Sequence, residues 1–79
     1  MDTIRYCTLV ANAVTKALEE KNISILSAAE QTGIPRTTLI RRLENPEASP
    51  LTTRELALLA RITEKTASSF LASADSEAE

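Results

Sequence analysis

Seventy-nine residues carrying a formal net charge of −2 make one small domain, near the size at which a single core barely suffices, so most apolar side chains must be core. A lone Cys7 and the lack of any His exclude an internal disulfide and argue against a zinc site. No apolar run nears the roughly 20 residues that span a bilayer and the N-terminus lacks a signal-peptide layout, so the expectation is a cytoplasmic protein without a cofactor.

With one Phe, one Tyr, no Trp and one Gly, an aliphatic core favours packed helices over sheets. Residues 1 to 4 read as a fraying start at which Asp2 or Thr3 caps the first helix. Tyr6, Leu9, Val10, Ala13, Val14, Ala17 and Leu18 recur at three- and four-residue intervals and form one apolar face. This helix ends near Lys21 and Asn22, where a basic side chain suits the helix dipole and Asn tolerates a left-handed cap. Cys7 borders the apolar stripe and reads as a small, partly buried apolar residue rather than a reactive thiol.

Ile23 is placed to staple onto Ala28, and Ser24 to cap a second helix containing Ile25, Leu26, Ala28 and Ala29. Ala29 lies four residues before Gly33. A small side chain there lets two helices approach closely, and glycine in the turn takes a positive φ without a Cβ clash. Ile34 follows as a core plug, and Pro35 has the φ suited to a first helical position. A third helix then runs through Leu43, with Leu39 and Leu43 on the buried side and Thr37, Arg41 and Glu44 pointing away.

Asn45 to Pro50, with two prolines and several turn formers, is the one clear loop. Thr52 and Glu55 make a capping box ahead of Leu56, Leu59, Ala60 and Ile62. Thr66 caps a last short helix holding Ala67, Phe70 and Leu71. Residues 73 to 79 are small and acidic, and read as a disordered tail after a domain spanning 1 to 72.

Ala29, Gly33, Ile34, Leu39 and Leu43 together resemble the helix-turn-helix of the lambda-repressor and Cro class. The longer run of Gly33, Ile34, Pro35, Arg36, Thr37, Thr38, Leu39, Arg41, Arg42, Leu43, Ser49, Pro50, Thr52, Glu55 and Leu56 is similar to small immunity repressors of actinobacterial phages and prophages. The resemblance implies an all-α, compact five-helix domain whose third helix enters the major groove of a double-stranded DNA operator. It further implies a transcriptional regulator that occludes a promoter, with helix 5 as the surface for a homodimer through Phe70 and Leu71. Arg42 stands where the broad pattern has an apolar residue, and Thr63 and Glu64 where it commonly has Leu and Gly.

Within that frame the side chains divide by chemistry. Arg36, at the leading end of helix 3, has a planar fork that matches guanine O6 and N7. Thr37 and Arg41 share its face, Thr37 offering a hydroxyl to a base edge or a methyl to thymine and Arg41 a second guanidinium to a base or the backbone, while Ile40 flanks it, either touching a thymine methyl or packing in the core. Ser24, Thr52, Thr53 and Arg54 lie at helix starts suited to phosphate. Two partners are open to Arg42, phosphate or a nearby carboxylate. Glu44 either ends the contact surface or accepts a bond from cytosine N4.

The acidic balance is concentrated at the C-terminus. Asp75, Glu77 and Glu79 fall in the last seven residues, leaving residues 1 to 72 with nine basic and eight acidic side chains. Phosphate affinity depends on a local patch rather than on the isoelectric point. A protein-interaction module of antitoxin or anti-repressor type on the same fold is the alternative reading. An enzyme is not: with no His, and with Cys7 and Tyr6 on an amphipathic helix, no nucleophile and base pair is legible, and no small-molecule ligand is expected.

Overall fold

The first helix, α1 (Thr3–Glu20), begins at Asp2, whose carboxylate accepts the Ile4 N–H at 2.9 Å. This cap anchors a segment whose sequence suggested fraying. Val10, Val14, Ala17 and Leu18 are buried as the periodicity requires, and so is Ala11; Tyr6, Leu9 and Ala13 flank them half-buried. Asn22 then adopts φ +56°, and the Ile23 N–H returns to the Leu18 carbonyl at 2.9 Å. That is the left-handed cap expected of Asn.

The computed structural model describes residues 2–78 and continues with α2 (Ile25–Thr32), α3 (Arg36–Glu44), α4 (Thr53–Ile62) and α5 (Ala67–Ala78). Among these residues there is no strand, and no helix is long and apolar enough to cross a membrane. The longest helix, α1, packs most extensively along α5, while α2 lies against both α3 and α4. One core joins all five helices, with Val14, Leu39, Leu59, Phe70 and Ala74 at its centre.

Ser24 caps α2 by accepting the Ser27 N–H at 3.1 Å. Gly33 ends that helix at φ +77°, and a Cβ built there meets nothing within 4 Å. The glycine is therefore required by the backbone angle and not by crowding. Thr32 completes the turn: its buried hydroxyl donates to the Ala28 carbonyl at 2.7 Å and accepts the Ile34 N–H at 3.2 Å. Pro35 departs from its expected place by one residue. At ψ +138° it is the cap of α3, and the helix proper begins at Arg36.

The tail is the larger correction. Helix α5 continues through Ala78, and Ala74 is wholly buried, four residues after the buried Phe70. Alanine and serine do not look like core, yet a methyl at the i+4 position is all the space beside α1 requires. The expected disorder of 73 to 78 is thus overturned, and Glu79 lies outside the described residues.

Candidate functional site

Helix α3 carries its polar residues on one side. Arg36, Thr37 and Arg41 are exposed, Ile40 beside them is half-buried, and Leu39 on the opposite side is fully buried. At 3.6 residues per turn, positions 36, 37, 40, 41 and 44 fall within an arc of about 140°; position 39 lies about 60° outside it and position 43 borders it, about 20° from 36. Thr37, Arg41 and Glu44 point away from the core and Leu39 into it, as their spacing predicts, whereas Leu43, expected on the buried side, is only half-buried.

The charges on that face are unpaired. Among the described residues, the ion pairs are Lys21 with Glu64, Arg42 with Glu55, and Lys65 with Glu20. Arg36, Arg41 and Arg54 are in none of them, and neither Glu44 nor Glu47 neutralises an arginine. An exposed guanidinium without a carboxylate keeps its five donors for an external acceptor.

Thr52, Thr53 and Arg54 are all exposed at the start of α4. The capping box there is complete: Thr52 Oγ1 accepts the Glu55 N–H at 3.1 Å, and Glu55 Oε1 accepts the Thr52 N–H at 2.8 Å. Ser24 Oγ at the start of α2 is engaged in the same capping role. Both hydroxyls spend an acceptor site on the helix and retain a proton to donate.

Of the two partners open to Arg42, the structure supplies the carboxylate. Its Nε donates to Glu55 Oε1 at 2.9 Å, and a terminal nitrogen donates to the Ser49 hydroxyl. Glu55 and Ser49 are both buried. Burial pushes the Glu55 carboxyl upward, but the Thr52 N–H and the Arg42 guanidinium outweigh it and hold the group below its usual value. Ser49 read as a turn former and Glu55 only as a cap. The signal available in the sequence was Arg42 itself, a charge at a position expected to face the interior.

Phe70 and Leu71 separate. Phe70 is 2% exposed and belongs to the core, while Leu71 is 38% exposed beside a small cleft lined by Tyr6, Cys7, Val10, Pro50, Leu51 and Leu56. Only Leu71 of the two offers a surface. The half-buried Cys7 lies on the apolar side of this cleft, as its sequence position suggested.

Compared with known proteins, the chain matches no family model, no curated protein and no solved structure.

Proposed function

We propose that the chain is a sequence-specific double-stranded DNA-binding regulator of lambda-repressor-like, helix-turn-helix type, which occludes a promoter by docking α3 in the major groove. The observation that carries this reading is the exposed face of Arg36, Thr37 and Arg41, whose guanidinium groups have no ion-pair partner among the described residues. An α-helix with its side chains is about 10–12 Å across, which suits a major groove about 12 Å wide.

Arg36 at the leading end reads a guanine edge, and Thr37, Ile40 and Arg41 read adjacent positions. Arg54, Thr53 and the capped starts at Ser24 and Thr52 meet phosphates. Phosphate contacts fix register and orientation but carry no sequence information, so discrimination rests on base contacts.

The test is selection of random duplex DNA against the purified chain at low and near-physiological salt, read by sequencing. An enriched motif supports the reading, and a two-fold symmetric motif supports binding as a homodimer. Weak binding without enrichment, lost as salt rises, would overturn it and favour the protein-interaction alternative.

A further inference from the structure

The reading face and the phosphate-facing residues stand on two different helices. Helices α3 and α4 each pack against α2 and share the common core through Leu39 and Leu59, and the loop Asn45–Thr52 joins them. DNA recognition by both sets at once requires a fixed spacing between Arg36 and Arg41 on one side and Thr52, Thr53 and Arg54 on the other. An error of about 0.5 Å is enough to spoil a preorganised polar site.

At their polar ends one carboxylate oxygen links the two helices directly. Glu55 Oε1 accepts Arg42 Nε from the last turn of α3 at 2.9 Å and the Thr52 N–H from the start of α4 at 2.8 Å. The same guanidinium donates to Ser49 in the connecting loop, and Ser49 N–H in turn bonds the Asn45 carbonyl at 3.0 Å. Side chains of the ion pair are 22% and 10% exposed. A largely buried pair of this kind is weak evidence for stability, because an apolar pair of similar volume often serves as well; fixing a geometry is the better-attested use.

We propose that Arg42 and Glu55 are positioning residues for DNA recognition, locking the base-reading face of α3 and the phosphate-facing start of α4 at one spacing. This rests on the DNA-binding reading above. The pair touches no base; it makes two contact sets act as a single rigid surface, so that sequence discrimination depends on it while attraction to the backbone does not.

The experiment measures affinity of the full chain for its selected duplex and for a scrambled duplex of equal length, with Glu55→Gln and Arg42→Lys beside the parent. Removing a negative charge by Glu55→Gln favours DNA on Coulombic grounds. Positioning gives the opposite sign for the selected duplex: about tenfold weaker binding there, with the scrambled duplex unchanged or slightly tighter. Arg42→Lys, which keeps the charge but loses the fork, lowers the same ratio. A merely structural role reduces the folded fraction and weakens both duplexes alike, so an unchanged ratio in both variants overturns the proposal. So does an Arg42→Gln variant that weakens both duplexes equally and lowers the salt slope by about one, which marks a direct phosphate contact. A parent chain that selects no motif removes the DNA-binding reading itself, and this inference with it.

Discussion

Asn22 and Glu64 hold the same left-handed conformation at matching ends of two different helices, with φ +56° after α1 and +60° after α4. Each sits inside the same pair of returning hydrogen bonds. Ile23 and Asn22 N–H groups reach back to Leu18 and Glu19, and Lys65 and Glu64 N–H groups to Ala60 and Arg61. The two ends lie side by side, joined by Lys21 to Glu64 at 3.0 Å and Lys65 to Glu20 at 3.6 Å. Asn tolerates this backbone; Glu does so at a cost of about 1 kcal/mol. Glu64→Gly should therefore raise stability by about 0.5–1 kcal/mol, since the Lys21 pair it sacrifices is exposed and worth little. Urea unfolding with an unchanged slope and a higher midpoint is the expected result. A lower midpoint would show that the ion pair outweighs the backbone strain.

Acid should loosen the molecule through Glu55. Its carboxyl is held below the usual value of 4.5 despite burial that pushes it upward, because the Thr52 N–H and Arg42 favour the ionised form. A depressed folded value means that the contribution is fully present above the unfolded pKa and is lost as pH falls through the folded one. Unfolding midpoints measured between pH 6 and pH 3 should fall on the acid side of 4.5, and Glu55→Gln should flatten that fall while lowering stability at neutral pH. An unaltered acid slope in the variant would assign the loss to other carboxylates.

Removing residues 73 to 79 separates a tail from a helix. The buried methyl of Ala74 and the last turns of α5 go with them, at a cost of about 1–2 kcal/mol; a disordered tail would cost nothing. There is also a local reporter. The Tyr6 hydroxyl donates to the Leu71 carbonyl at 3.3 Å, and the nearby Asp75 carboxylate, followed by partial burial, raises the phenol above its ordinary value. Truncation should return the Tyr6 absorbance titration towards its ordinary value.

These cases show which parts of the chain declare themselves. Ser24, Gly33 and the Thr52–Glu55 box were legible because capping and positive φ are local demands answered by a few residue types. The exposed face of α3 was legible from periodicity alone. Ala74 was not, because burial of so small a side chain is decided by a neighbour far away in sequence. Ser49 was missed for a different reason: its partner, Arg42, is near in sequence, but only the course of the connecting loop brings the two side chains together. Pro35 fell one position from its expected place because a fixed φ suits both the cap and the first helical residue, and only ψ tells them apart.

The DNA-binding reading makes opposite demands on two exposed arginines. Arg36 opens α3 and Arg54 stands in the first turn of α4, both exposed. If Arg36 reads a base, Arg36→Ala should cost about 1–3 kcal/mol on the selected duplex and relax preference at one position, leaving scrambled DNA nearly unaffected. Arg54→Ala should weaken selected and scrambled duplexes by the same factor and reduce the salt slope by about one, the signature of a single phosphate contact. The contrast matters more than either magnitude, since both variants remove one positive charge. Anisotropy titrations of the two variants on the two duplexes at three salt concentrations separate the roles. Equal loss on every sequence for both would reduce Arg36 to a phosphate contact and leave discrimination to Thr37, Ile40 and Arg41.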